Sequence, residues 1–174
     1  GRKKILAIVG SASNHSSNHK LVDLFTQLTR DYFEVMPAPD LKSPPHFDPE
    51  LSVENPPPAV QALREQIETA NGIIISTPEY VFSIPSGLKN AIEWCVATTV
   101  FTDKPLGIIT ASAHGQKGHD ELQLIMKTVM TKFNADTTLL IQGIKGKIDQ
   151  EGVIQDKQTM NEFLRFIESF KNLL

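Results

Sequence analysis

Five short apolar runs lie along the chain, and between them stand stretches whose apolar residues return every three to four positions. The runs are "KILAIVG" (4–10), "YFEVMPA" (32–38), "GIIIST" (72–77), "PLGIITAS" (105–112) and "DTTLLIQG" (136–143). A run with no polar face reads as a strand buried on both sides. The intervening stretches carry Leu21, Leu24, Phe25 and Leu28; Val60, Leu63, Ile67 and Ala70; Leu88, Ala91, Ile92 and Cys95; Leu122, Ile125, Met126, Val129 and Met130; and Met160, Phe163, Leu164 and Ile167. Each set spaces its members as one face of a helix does. The helix carrying Val60, Leu63, Ile67 and Ala70 is expected to stop at Asn71-Gly72 and the last to start at Asp156 as N-cap. Most of the eleven prolines fall in 37–58, which reads as a long ordered loop. Strands alternating with helices give a parallel sheet covered on both faces. Right-handed crossovers then leave an α/β, doubly wound, five-stranded sheet of order 2-1-3-4-5 as the leading topology, within one domain over 1–174.

The remaining bulk properties exclude more than they assign. Hydrophobic residues make up 40% and charged residues 21%, enough for a packed core without disulfides. Cys95 is the only cysteine, so it has no internal partner, and a reduced, cytoplasmic setting is expected. A net charge of −3 argues against nucleic acid as a partner, and no stretch has the roughly 18 apolar residues of a membrane span.

In a doubly wound sheet, ligands bind beyond the carboxyl ends of the strands at the switch point between strands 1 and 3. Three unusual loops arise there: "GSASNHSSN" (10–18), "TPEYVFSIPS" (77–86) and "ASAHGQKG" (111–118). The first holds Ser11, Ser13, Asn14, Ser16, Ser17 and Asn18 and opens a helix, whose free N–H groups and positive dipole end suit a phosphate. A plain N-cap needs only one such residue. No Gly-Lys-Ser/Thr or G-x-G-x-x-G pattern is present, so a mononucleotide phosphate fits better than a dinucleotide. In the second loop Pro78 and Pro85 stiffen the ends, Tyr80 and Phe82 supply stacking surface, and backbone amides between them can bond the edge of a flat heterocycle. The alternative is that these rings cover the sheet edge or meet another subunit. Ser83 or Ser86 is expected to cap the helix that follows. Glu79 either faces the ligand or pairs with a Lys or Arg across a subunit contact; the structural role is favoured, because an acid beside an anion is unfavourable. The third loop holds Ser112, His114 and Gly115, with small residues that permit close approach and an imidazole able to donate a hydrogen bond.

"GSASNHSSN" followed by "TPEYVFSIPSGLKNAIEW" resembles the NADPH-dependent FMN reductase family, which includes FMN-containing quinone, chromate and azo reductases. The resemblance covers nearly the whole chain. It implies a flavodoxin-like fold, non-covalent FMN, and dimers or dimers of dimers. It implies that Ser11, Ser16, Ser17 and Asn18 meet the phosphate, and Ser13 joins them as a hydroxyl of the same loop. Pro78, Glu79, Tyr80, Val81, Phe82 and Ser83 would line the isoalloxazine and ribityl chain, largely through backbone groups, and Ser112, His114 and Gly115 would close the far side of the ring. It further implies ping-pong hydride transfer from NADPH or NADH through flavin to a small-molecule acceptor (a quinone, an azo compound or free flavin), with no side chain needed as acid or base and no metal. The rivals are a one-electron carrier of the flavodoxin type and a flavin-binding module without catalysis. Two positions depart from the family pattern: Ser13 stands at the usual Arg, and Val81 where many members have Asn. His15 and His19 are candidate replacements for the lost cation.

Overall fold

The computed structural model describes residues 1–174. Five strands, β1 (Lys3–Val9), β2 (Phe33–Pro37), β3 (Gly72–Thr77), β4 (Leu106–Ser112) and β5 (Thr138–Gln142), form one sheet of order β2-β1-β3-β4-β5. Every pair is parallel, with Ile8 opposite Ile75 and Ile75 opposite Ile108 at the centre. The expected topology is the observed one.

Alternate residues of each apolar run enter different cores. Leu6, Ile8, Ile73, Ile75, Leu106 and Ile108 face α3 (Pro58–Thr69), α4 (Ser86–Glu93) and α5 (Gln116–Thr128). Ile5, Ile74, Ile109, Ala111, Leu139 and Ile141 face α1 (Ser17–Leu28) and α6 (Lys157–Lys171). Residues one step apart on a strand point to opposite faces, so an unbroken apolar run is what two covered faces require.

Several local expectations change. The proline-rich stretch contains a short helix, α2 (Pro49–Glu54); Asp48 caps it by accepting from the Glu50 N–H at 2.9 Å, and Pro49 opens it, where its missing N–H costs nothing. Helix α3 ends at Thr69; Gly72 already belongs to β3, and the Asn71 side chain accepts from the Lys4 N–H at 2.8 Å. Helix α5 ends at Thr128; Val129, its C-cap, still packs against the core, but Met130 leaves it, exposed with φ 68°. In α6 the buried face is Phe163, Phe166, Ile167 and Phe170, while Leu164 is exposed. Asp156 caps α6 as expected. Cys95 is buried, and burial pushes its thiol up to about 12 against the pull of Arg64. It packs rather than reacts. No helix is long and apolar enough to cross a membrane.

Because all strands run one way, β1, β3 and β4 release their loops along a single edge. Residue 10 sits where the first of these leaves the sheet: a Cβ there would stand 2.3 Å from Thr77 Oγ1 and 3.1 Å from Leu88 Cδ2. Only a hydrogen fits, and the loop starts flush against β3.

Candidate functional site at the carboxyl edge of the sheet

The loop between β1 and α1 is tied together by its own side chains. Ser11 Oγ accepts from the Ser13 N–H at 3.1 Å, and Ser13 Oγ from the His15 N–H at 3.4 Å. Ser16 is the N-cap of α1. Its Oγ accepts from the His19 N–H at 3.4 Å, and its own N–H donates to His19 Nδ1 at 3.3 Å, a reciprocal cap. Burial holds the His19 imidazole below its ordinary value, although Asp23 pulls upward; His15 adds a smaller push downward. A ring that accepts at Nδ1 and resists protonation is a capping group, not a replacement cation. Asn18 is buried: its Nδ2 donates to the Ala111 carbonyl at 3.1 Å and its Oδ1 accepts from the Ser76 hydroxyl at 2.8 Å. Its side chain therefore pins α1 to β3 and β4, leaving its backbone N–H for the loop. The N–H groups of Ser11, Asn14, Ser17 and Asn18 have no acceptor within the chain. Two of these donors open α1 and two lie in the loop before it, a set suited to an anion.

The loop after β3 is a tight hairpin tip. Tyr80 and Ser83 exchange both backbone hydrogen bonds, at 2.9 and 3.0 Å. Val81 and Phe82 between them have φ of 50° and 58°. Positive φ at both central residues is the type I′ arrangement, which favours Asn-Gly. A β-branched residue there is strained, and strain of this kind gathers at functional sites. Val81 is 95% exposed and Phe82 69%, and neither N–H is bonded within the chain. The two rigid amides thus face outward, as the edge of a flat polar ring requires.

Glu79 holds this tip in place. Its Oε1 accepts from the Gly115 N–H at 3.1 Å and its Oε2 from the Gly118 N–H at 2.9 Å, while its own N–H donates to Ser112 Oγ at 3.1 Å. The carboxylate caps the first turn of α5, and Gly115 is the N-cap with φ 93°. A Cβ on Gly118 would lie 3.1 Å from the Ser83 carbonyl and 3.3 Å from the Glu79 stem. The structural role expected of Glu79 holds, but its partner is a helix N-terminus rather than a Lys or Arg. The cap expected from Ser83 or Ser86 is absent: Pro85 is the N-cap of α4, without a side-chain bond, and Ser86 is its first residue.

A groove of about 1070 Å³ runs between these loops. It is lined by Ser11, Ser13, Ser16, Ser17 and Asn18 on one side and by Pro78, Glu79, Tyr80 and Ser112 on the other. Its far wall, Gly143–Gln150, follows β5 and carries Lys145, and Lys20 reaches in from α1. Sequence reading passed over this wall, since only the fold brings it to the loops. A second hollow of about 710 Å³ lies towards the proline-rich segment and shares Ser11, Ser13 and Tyr80. The Tyr80 hydroxyl sits between the two, accepting from the Ala12 N–H at 3.2 Å. His114 is exposed at the mouth of the third loop, with no hydrogen bond from its ring to the rest of the chain. The buried histidine is its neighbour in α5, His119, whose Nδ1 lies 2.6 Å from Thr110 Oγ1; burial lowers its pKa, with Asp120 opposing. Its place on the inner face of an amphipathic helix was a readable but unread signal.

The NADPH-dependent FMN reductase model matches residues 3–142, from the first strand to the end of the fifth. The chain belongs to that family. It is therefore an oxidoreductase of the FMN-dependent, NAD(P)H-linked kind and the matched span includes all three loops of the groove. A quinone reductase of Escherichia coli is 29% identical over 96% of this chain and 93% of that protein. A subunit of an NADH:(hydroxy)cinnamate reductase from Vibrio ruber is 31% identical over 97% of this chain and 89% of that protein. The solved structure of the flavoenzyme NAD(P)H:(acceptor) oxidoreductase FerB from Paracoccus denitrificans superposes with a TM-score of 0.86 at 25% identity, covering 98% and 96% of the two chains. A Bacillus cereus flavodoxin shares the fold at a TM-score of 0.63 and 14% identity.

Proposed function

We propose that this FMN reductase binds FMN in the groove with its phosphate at the start of α1 and its ring against the Tyr80–Ser83 tip. It would work on a small-molecule acceptor such as a quinone. The observation that carries this reading is the presence of two sets of free donors at one edge of the sheet: the N–H groups of Ser11, Asn14, Ser17 and Asn18 in the first loop, and those of Val81 and Phe82 just past Tyr80, where the groove ends. A dianion and the carbonyl edge of a flavin need such donors in that order. FMN held there would supply the redox chemistry, two-electron exchange between NADH or NADPH and the acceptor in ping-pong sequence.

The residues of the chain position and insulate. Ser13 and Ser17 add hydroxyl donors at the phosphate. Rigid amides of Val81 and Phe82, fixed by the turn, stand ready where negative charge grows on the ring edge. Pro78 and Tyr80 floor the ring site, and Ser112, His114 and Gly115 bound its far side. Asn18 and Glu79 act through the backbone they hold. A second copy of the chain covering the exposed Val81 and Phe82 would complete the wall, which supports a dimer or tetramer. The buried, unreactive Cys95 suits a reducing cytoplasm.

The test is anaerobic: purified protein with FMN is mixed with NADH or NADPH, and the visible flavin band is followed. Bleaching with either donor, then recovery on adding a quinone, is expected. Absence of bleaching with both donors overturns the reading.

A further inference from the structure

We infer that Lys20 and Lys145 supply the positive charge that balances the phosphate of the bound mononucleotide, an inference that rests on the proposed FMN reading. A phosphate dianion in a groove partly shielded from water needs more than dipoles, because desolvation of two charges is costly. The loop that meets it offers no lysine or arginine: its polar side chains are hydroxyls, the amides of Asn14 and Asn18, and His15, and the neighbouring His19 spends its Nδ1 as a capping acceptor.

Elsewhere in the groove the formal charges balance, but the acids are committed to other partners and the lysines are not. Two carboxylates line it, and both are already occupied. Glu79 accepts from the Gly115 and Gly118 N–H groups. Asp149 accepts through Oδ1 from the Glu151 and Val153 N–H groups, both at 2.9 Å, and through Oδ2 from Gln155 Nε2 at 2.6 Å. Two ammonium groups line it as well, and neither is paired with an acid. The ion pairs of the chain are Lys89 with Glu93 and Lys171 with Glu168. Lys20 Nζ has one partner, the Asp149 carbonyl, at 3.4 Å. Its stem is half-buried against Gly152, with Cβ 3.6 Å from where a side chain would begin. The contact with the Asp149 carbonyl holds the ammonium at the groove wall. Lys145 stands on the opposite wall, exposed, in the short 3₁₀ turn Ile144–Gly146. The two cations bracket the serine loop from α1 and from the segment after β5.

The test compares FMN with riboflavin, which has the same ring and no phosphate. Flavin fluorescence quenching is titrated with wild-type protein and with Lys20→Met, Lys145→Met and the double variant; methionine keeps the apolar stem. Each single change is expected to weaken FMN about fivefold to tenfold, the double more than tenfold, with riboflavin affinity unchanged within about twofold. The preference for FMN over riboflavin should also shrink with added salt in wild type and less so in the double variant. Equal FMN affinity in wild type and double variant overturns the assignment while leaving the flavin reading intact. An equal loss for FMN and riboflavin overturns it too, since the lysines would then act on the ring or the fold. If wild type quenches neither flavin, both readings fall together.

Discussion

The serine bonds within the loop over residues 10–18 join neighbours two or three positions apart, and its long-range ties include the Ala12 N–H to the Tyr80 hydroxyl and the Asn18 side chain to Ser76 and Ala111; the Glu79 bonds that brace the tip over 78–83 all reach 33, 36 or 39 residues along the chain. The first is largely woven from its own side chains and has no residue at positive φ. The second adopts a turn that its own central residues disfavour, and stays there because Glu79 is fastened to α5. A strained element persists only where its surroundings over-determine it. Both halves of the groove thus need β3 and β4 in place, through Asn18 in the first and Ser112 in the second, but only the ring half also waits for α5 to dock. The contrast also separates what each half is for: small donors that need only be present, and a rigid edge that must be aimed.

The largest expected effect breaks the fastening. Glu79→Ala leaves the Gly115 and Gly118 N–H groups without their acceptor and frees the tip; stability should fall by about 2 kcal/mol in urea unfolding, and FMN affinity by at least about tenfold. Ser16→Ala, the corresponding cut in the other half, should cost about 1 kcal/mol by loss of the cap, with a smaller effect on affinity. If Glu79→Ala costs no more than Ser16→Ala, the contrast between braced and self-held halves is wrong. Val81→Asn tests the strain directly. Asparagine tolerates positive φ, so the variant should gain about 1 kcal/mol in the same unfolding measurement while its ring-edge amide stays in place. A loss of stability there would mean that the turn carries no strain.

The smallest effect concerns pH. Burial lowers the pKa of His119 in the folded state from the ordinary 6.5. The unfolded chain then binds the proton more readily, so the stability present at neutral pH is lost as pH falls below 6.5 towards the folded value. Unfolding free energies measured on both sides of 6.5 should show this decline, and His119→Asn should flatten it. His19 shifts in the same direction but is less buried, so it adds little.

What could be read beforehand followed from patterns that need no partner. The unbroken "GIIIST" run and its fellows gave the sheet, and the helical spacing of Leu63 with Ile67 gave the covering layer. The serine loop announced itself because a single cap would not need so many hydroxyls. What escaped depended on meetings far along the chain. Nothing near Glu79 reveals that Gly115 and Gly118 will present N–H groups to it. Asn18 looked like a phosphate ligand by its neighbours, yet its side chain is claimed by Ala111 and Ser76, which arrive from β4 and β3. Ser83 and Ser86 looked like caps, but the hairpin shifted the start of α4 so that Pro85 took the position. Lys20 and Lys145 gain meaning only when α1 and the segment after β5 face each other.

One consequence lies in the seam between β1 and β3. A hydroxyl of Thr77 fills the space where any side chain at residue 10 would begin. In a library sampling all twenty amino acids there, selection for yellow, flavin-loaded colonies should return a single letter, and even an added methyl should bleach the plate.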